Sequence, residues 1–397
     1  MRCRPSGLYQ AIGPFSAGPG DAMSSTGFIY EPPRTLTEKL GQLNWLLLVV
    51  VCMLAGTGLV ALYSVAGGSW SPWAERHAVR FLAGLALLLA ISVVPLRVWS
   101  DLAWPVYLAA LALLALVPVL GTEALGARRW LSVGGFSFQP AELMKLALVA
   151  ALARYYQGLA PARISHPFFV LLPVVAIALP VVLTARQPDL GSAALLALIG
   201  LGLLLMAGVH VLYFAGAGAG VLASVPYLLS HLHDYQRRRL DTFLDPGKDP
   251  LGAGYHITQS KIALGSGGVS GKGFLGGTQS QLDFLPEKHT DFIFTTIGEE
   301  WGFVGTVVVL ALFGLLLTVL AGMAIASATR FARLLVVGAT LTVFGYAAIN
   351  VSMVTGLVPV VGVPLPFVSY GGTSMLTLMF GLGLAMCAWV HRNERGR

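Results

Sequence analysis

Long apolar runs alternate with short polar connections along most of the chain, and a single long polar stretch interrupts them. A helix that crosses the hydrocarbon core of a bilayer needs about 20 apolar residues. Ten runs meet this requirement, so the pattern predicts an all-α polytopic membrane protein with about ten transmembrane helices. These runs lie near residues 45–66, 78–95, 102–120, 140–157, 168–185, 190–207, 209–229, 302–324, 332–355 and 369–390.

The polar stretch divides the chain into predicted regions. We expect a long loop at 230–301 between the seventh and eighth helices, and we expect it to contain the chemistry. Around it the pattern predicts a disordered tail at 1–44, seven helices within 45–229, three helices within 302–390 and a second tail at 391–397. Residues 1–22 are rich in Gly, Pro and Ser, and Met23 is an alternative start, so the working protein need not contain them.

Composition supports a membrane protein and charge indicates its orientation. Of the 397 residues, 56% are hydrophobic and 11% are charged, whereas soluble domains carry about a quarter charged residues. The net charge of +7 is not gathered into a basic run with interleaved aromatic residues, so nucleic acid is not an expected partner. Counting short loops and tails, an N-in, C-in arrangement places twelve Lys and Arg inside and five outside. This bias predicts that 230–301 lies outside the cytoplasm.

Charged residues at the predicted spans are candidate site residues, because ionisable groups there are costly. Glu142 and Lys145 share one face of the fourth helix. They form either a self-neutralising pair that packs in the bundle or a cation facing an outer cavity. Asp189 either caps the sixth helix or belongs to a site together with Arg186.

Two further groups lie in outer loops. Arg128 and Arg129 precede Trp130, a pattern typical of an interfacial anchor or of a phosphate clamp. In the long loop, His289 and Asp291 lie two residues apart, and Asp291 leads directly into an apolar run. Partial desolvation there would raise the pKa of this carboxyl towards that of a useful base, although a cap or a solvated charge is the simpler interpretation.

Several stretches together resemble one known family. They are RRW at 128–130, QPAELMK at 139–145, QPDLG at 187–191, DPLGAGYHITQSKIALGSGG at 249–268, GKGFLGGTQSQLDFLPEKHTDFIF at 271–294, the paired Glu299 and Glu300, and PVVGVPLPFVSYGG at 359–372. From about residue 44 to 392 the chain resembles the SEDS family (shape, elongation, division and sporulation). QPDLG and GTQSQLDFLPE favour its elongation branch, whereas Ala141 and Gly298 depart slightly from the pattern of that branch.

The resemblance implies a function and partners. It implies a peptidoglycan glycosyltransferase that polymerises lipid II at the outer face of the bacterial inner membrane during elongation and rod-shape maintenance. It also implies a class B penicillin-binding protein as transpeptidase partner, beside other membrane proteins of the elongation machinery. In the family the acidic residue of the HTDF motif is required for activity, and here that residue is Asp291.

The site hypothesis combines both sources. Asp291 is the expected base for an attacking hydroxyl, with His289 and Trp130 as further substrate-binding candidates. No cofactor is certain, and a divalent cation (Mg²⁺ or Mn²⁺) could share the leaving-group charge, with ligands unknown. The expected pyrophosphate-binding cations are Lys145, Arg128, Arg129, Arg186 and Lys261, oriented by Glu142, Asp189 and Glu300.

Two other functions are compatible with ten helices and buried charges. A lipid II flippase or transporter would place its polar chemistry near the bilayer midplane, whereas here that chemistry gathers in an outer loop. A non-enzymatic scaffold of the cell-wall synthesis complex would use the loop motifs as partner contacts. Polymerisation by the purified protein separates the enzyme from both alternatives.

Overall fold

A computed structural model describes residues 35–392 except 125–126, 134–135, 231–236, 238–240, 244, 246–252 and 283–286. The helices before the long loop are α1 (Leu36–Gly41), α2 (Trp45–Val65), α3 (Trp73–Val93), α4 (Leu96–Leu120), α5 (Pro140–Gln157), α6 (Pro167–Arg186), α7 (Leu190–Ala207) and α8 (Val211–Ser230). Those that follow are α9 (Ala253–Ser266), α10 (Thr278–Gln281), α11 (Ile293–Ala326), α12 (Arg330–Val354) and α13 (Gly372–Val390).

The long helices lie where the apolar runs predicted them, and the helical membrane fold is confirmed. Eight of them, α2, α3, α4, α6, α7, α11, α12 and α13, are long and apolar enough to cross a membrane. The other two predicted spans correspond to α5, which carries Glu142, Lys145 and Arg154, and to α8. The total of ten spans and the N-in, C-in orientation stay predictions.

Polar residues at the helix ends determine where several helices begin and end. The Asn44 side chain accepts a hydrogen bond from the Leu47 N–H at the start of α2, and Asp189 does the same for Ser192 at the start of α7. Such caps satisfy N–H groups that have no partner within the helix. Gly208, with φ 103°, ends α7 in the left-handed conformation that glycine adopts most easily.

α12 lies at the centre of the bundle. It packs against α5, α7, α11 and α13, while α13 also packs along α3. Buried apolar side chains form two clusters, one centred on α2, α11 and α13 and one on α5 and α7, and α12 contributes to both. Because α12 touches both halves, polar groups on its faces are in a position to join residues from distant parts of the sequence.

Three short strands add to the helices in the connection between α4 and α5, where the sequence predicted only a loop. β1 (Thr122–Ala124), β2 (Ala127–Val133) and β3 (Phe136–Phe138) form an antiparallel sheet in the order β1-β2-β3. Arg128 and Arg129 are neighbours on β2, so their side chains point to opposite faces of the sheet. The sheet thereby separates two residues that the sequence grouped.

Two regions predicted as tail or loop contain regular structure. Within the predicted tail 1–44, a capping box at Thr35 and Glu38 starts α1, so the prediction of disorder is wrong for 36–41, while residues 1–34 lie outside the described part. The predicted loop 230–301 contains α9, α10 and the first turns of α11. α11 bends at Gly302, whose φ is 67°, and this bend coincides with the predicted start of the eighth span.

The bend in α11 is a docking point for the glycine-rich segment 267–277. The N–H groups of Lys272 and Gly273 donate to the carbonyls of Glu299 and Glu300, and Phe303 N–H donates to Gly268 O. A Cβ on Gly302 would lie 2.3 Å from the backbone nitrogen of Gly271, so the close approach requires glycine. The glycines of this segment therefore permit its tight packing on α11.

Candidate active site

Asp291 lies in the turn that precedes α11. Its side chain is half-buried, and a Cβ on Gly362 would be 3.4 Å from its Oδ2. The carboxyl group therefore lies against the backbone of the segment between α12 and α13. Burial raises the pKa of Asp291 to about 7, and the negative charge of Glu287 adds to the rise. A carboxyl group that is partly ionised at neutral pH is suited to accept a proton there.

The backbone of Asp291 is held by α12. Asn350, fully buried on this helix, donates from Nδ2 to the carbonyl oxygen of Asp291 at 2.8 Å and to that of Val363 at 2.7 Å. Residue 363 follows Gly362, which the Asp291 carboxylate contacts. One side chain thus joins the two segments that meet at the carboxylate.

His289 lies in an aromatic cluster. Its ring stacks on Trp73 of α3 with centroids 3.8 Å apart, and Trp73 meets Tyr370 edge-on at 4.9 Å. The guanidinium of Arg80 lies 4.4 Å from the Tyr370 ring centroid, which is a cation–π geometry. Burial lowers the pKa of His289, which favours the neutral form of this imidazole. The cluster fixes the segment that carries Asp291 onto α3.

Glu142 and Lys145 form a buried pair with a third partner on α12. Lys145 Nζ lies 2.7 Å from Glu142 Oε1, and the Lys145 side chain is fully buried. The Tyr346 hydroxyl lies 2.7 Å from both Glu142 oxygens and also bonds Lys145. These contacts neutralise the ammonium and occupy two of its three donors, which favours the self-neutralising pair over a cation that faces an open cavity.

Asp189 lies in the turn before α7, and Arg129 binds the same turn. Asp189 caps Ser192 at 3.1 Å and accepts a hydrogen bond from Gln139 Nε2 at 2.6 Å. Arg129 donates to the carbonyl of Pro188. Its Nε is buried without a hydrogen-bond partner among the described residues, so this N–H is an unsatisfied donor.

The 359–363 segment connects these groups to Asp291. A Cβ on Gly191 would lie 2.7 Å from the carbonyl oxygen of Val361, so the start of α7 packs directly on this segment, which also contacts the Asp291 carboxylate. On α12, Tyr346 and Asn350 are one helical turn apart and share a face. The structure therefore gathers five predicted residues around α12 and 359–363, namely Asp291, Glu142, Lys145, Asp189 and Arg129.

The remaining candidates lie at the edge or elsewhere. Arg128 is exposed and lies 4.0 Å from Glu123, Trp130 is half-buried on β2, and Arg186 is exposed at the end of α6. Lys261 of α9 lies over Gly356, where a Cβ would be 2.2 Å from its Cε.

Glu299 and Glu300 bind the loop segment and α2. Glu300 accepts a hydrogen bond from Ser64, and within the described part of the chain it contacts none of the five predicted cations. Glu299, to which the sequence analysis gave no site role, binds Lys272 at 2.7 Å and the backbone of Gln279 at 2.9 Å. Among the described residues there is no group of three His, Cys, Asp or Glu that could hold a metal ion, so a divalent cation stays a prediction.

Sequence reasoning missed four residues at this site. Tyr346 and Asn350 lie inside the predicted span 332–355, where the rule that selected Glu142 and Lys145 would have found them only if it had included uncharged polar residues. Trp73 and Tyr370 carry no such signal, because aromatic residues at span ends are common interfacial anchors.

Comparisons with known proteins agree on one family. The model of the FtsW, RodA and SpoVE family, described as cell cycle protein, matches residues 42–395. Peptidoglycan glycosyltransferase MrdB of Escherichia coli is 42% identical over 361 residues, which are 90% of this chain and 96% of that protein. A chain from a structure titled as coordination of polymerization and crosslinking by a peptidoglycan synthase complex matches with a TM-score of 0.78 and 33% identity, covering 89% of this chain and 99% of that one. The crystal structure of Thermus thermophilus rod shape determining protein RodA matches with a TM-score of 0.67 and 30% identity, covering 89% and 98%.

Proposed function

Since the chain belongs to the FtsW, RodA and SpoVE family and is a multi-pass inner-membrane peptidoglycan glycosyltransferase, we propose that it polymerises lipid II with Asp291 as the catalytic base. The observation that carries this proposal is the environment of Asp291. Its carboxyl group is partly desolvated, has a pKa raised to about 7 and lies where three segments of the chain converge. The similarity to MrdB and to RodA favours a role in cell elongation and rod shape.

The proposed reaction is a single displacement. Lipid II is a disaccharide-pentapeptide attached to undecaprenyl pyrophosphate. Asp291 removes the proton of a sugar hydroxyl on one molecule while that oxygen attacks the anomeric carbon of another. A glycosidic C–O bond forms, the C–O bond to the pyrophosphate breaks, and the lipid pyrophosphate leaves with the bonding pair. The configuration at the anomeric carbon is inverted.

The departing pyrophosphate requires positive charge that is fixed in place before the reaction. Arg129 and Arg186 are the candidates that the contacts favour. Arg129 is anchored to Pro188, two residues from Arg186, and the adjoining start of α7 packs on the segment that Asp291 contacts. The contacts of Lys145 favour an indirect role, in which its pair with Glu142 and Tyr346 holds α5 against α12.

The test is polymerisation of labelled lipid II by the purified full-length protein together with its partner. We expect Asp291→Asn to lower the rate by about 100-fold or more, because a positioned base contributes roughly 10²–10⁴. The matched control is Asp101→Asn, which changes an exposed aspartate that pairs only loosely with Arg97. Wild-type rates for Asp291→Asn would end the assignment.

We further propose a class B penicillin-binding protein as the partner that crosslinks the new strands. The structural relative whose title describes polymerization and crosslinking in a single synthase complex supports this proposal. Copurification of the chain with that transpeptidase, and faster polymerisation by the pair than by the chain alone, are the expected results. A flippase or a scaffold would show no polymer under either condition.

A further inference from the structure

Asn350 is a polar side chain in a helix that is otherwise largely apolar, and it is fully buried. Both hydrogens of its amide are used. One bonds the carbonyl of Asp291 and the other bonds the carbonyl of Val363, at 2.8 and 2.7 Å. One acceptor belongs to the turn before α11, and the other belongs to the segment between α12 and α13. A single amide group therefore connects both loops to each other and to the central helix.

The other end of the same amide indicates why asparagine stands here. Its Oδ1 is buried and has no hydrogen-bond partner within the described part of the chain. Burying an unpartnered acceptor is unfavourable. Packing alone would be served better by an apolar side chain of similar size. The two donors are therefore the property that distinguishes asparagine from leucine at this position.

The two bonded carbonyls lie next to the reacting carboxyl group. The first is the backbone carbonyl of Asp291 itself, and the second belongs to the residue after Gly362, whose Cβ position is 3.4 Å from Asp291 Oδ2. Gly362 has φ 72°, a left-handed conformation that brings the backbone close to the carboxylate. Fixing the two carbonyls relative to each other consequently fixes the place of the carboxylate.

We propose that Asn350 is a positioning residue for glycosyl transfer, which clamps the backbone of Asp291 to that of Val363 and so holds the carboxylate beside Gly362. The inference rests on the proposed role of Asp291. Asn350 is buried, so it acts through Asp291 and not by contact with the substrate. Misplacing a reacting group by about 1 Å is able to cost roughly 100-fold in rate. Loss of the clamp is therefore expected to lower kcat much more than it changes KM.

The experiment compares three variants of the full-length protein, with its partner and labelled lipid II. Asn350→Asp keeps the shape but turns acceptors towards two carbonyl oxygens, and Asn350→Leu removes the polar group. Both are expected to lower kcat by about 100-fold with KM changed less than about threefold. Asn350→Gln keeps the donors on a longer side chain and is expected to recover part of the rate.

A pH profile and a matched control separate positioning from general damage. A released carboxylate gains water, so the acid limb of the rate profile should move to lower pH in Asn350→Leu. The control is Thr342→Val, which removes another buried hydrogen bond on the same helix, to the carbonyl of Gly338, and should leave kcat and the pH profile unchanged.

Each outcome is decisive. Wild-type kcat in Asn350→Asp and Asn350→Leu, while Asp291→Asn is inactive, would overturn the clamp and leave the catalytic base in place. Activity in Asp291→Asn would overturn both. Failure of all three Asn350 variants to fold, measured by thermal unfolding in detergent, would reduce Asn350 to a structural residue and overturn the proposal as well.

Discussion

Asp291 lies where a polar loop meets an apolar helix. The folded surroundings raise the pKa of its carboxyl group more than the neighbouring residues in the sequence indicate. The sequence alone indicated partial desolvation from the apolar run that follows. The segment around Gly362 could not be foreseen, because it lies about seventy residues away and meets Asp291 only after the helices pack. Sequence thus identified the residue, while the cause of its altered pKa depends on tertiary structure.

The pKa of Asp291 leads to a prediction about pH. Activity requires the ionised carboxylate, so the rate of the wild type should fall as the pH drops below about 7. Glu287 raises this pKa by like-charge repulsion, so Glu287→Gln should lower it and move the acid limb to lower pH. The ratio of the rate at pH 6 to that at pH 8 should rise about threefold. Glu123→Gln on β1 is the control, and an acid limb in Glu287→Gln identical to that of the wild type would contradict the prediction.

The buried pair of Glu142 and Lys145 gives a second prediction at this scale. Lys145→Met leaves the Glu142 carboxylate buried without its counter-ion, which should lower the free energy of unfolding by about 3 kcal/mol. The double variant Lys145→Met with Glu142→Gln should recover most of this loss, because no buried charge is left.

Thermal unfolding and lipid II titration of the same variants distinguish the two roles of Lys145. If the double variant loses as much free energy of unfolding as the two single variants together, the self-neutralising pair is refuted. A KM that stays raised after stability has recovered would instead assign Lys145 to the substrate.

At the scale of elements, the length of the apolar runs predicted the long helices well, because every residue of such a run must be buried in the protein or face lipid. The same reasoning failed for connections. The Gly134–Gly135 pair between the runs 127–133 and 136–138 is a hairpin signal that a search for long apolar runs does not detect. The glycines of 267–277 look alike whether they are mobile or packed. Their difference becomes visible only in the contacts with Glu299, Glu300 and Gly302.

The bend in α11 predicts that replacing glycine by alanine has different effects on stability at two positions of this helix. Gly302→Ala adds a Cβ at φ 67° and 2.3 Å from the backbone of Gly271, so it should destabilise the protein by at least about 1 kcal/mol. It should also make segment 267–277 more accessible to protease. The control Gly314→Ala lies on the same helix with no atom within 4 Å of the added Cβ, and it should be neutral or slightly stabilising. Equal melting temperatures for the two variants would argue against a required close approach.

For the whole molecule, the orientation in the membrane is a prediction from charge that labelling is able to test. In a background without Cys3, Cys52 and Cys387, Ser270→Cys on the long loop should react with a membrane-impermeant maleimide in intact spheroplasts. Ala160→Cys, an exposed position between α5 and α6, should react only after the membrane is permeabilised. The reverse pattern would place the loop with Asp291 in the cytoplasm and exclude polymerisation outside.

The unequal lengths of the helices have a consequence for the surrounding lipid. At 1.5 Å per residue, the 18 residues of α7 span about 27 Å, whereas the 25 residues of α4 span about 38 Å. A hydrocarbon layer about 30 Å thick is thicker than α7 is long, and we expect the layer to thin beside that helix. The apolar part of α4 is shorter than the whole helix, because Arg97 and Asp101 lie in its first turns. The thinned layer adjoins Asp189 and Pro188 at one end of α7. At this place the lipid headgroups would lie closer to the bilayer centre, where a pyrophosphate attached to a polyprenyl chain would meet the protein. Substrate binding should therefore depend on the acyl-chain length of the lipids in reconstituted bilayers.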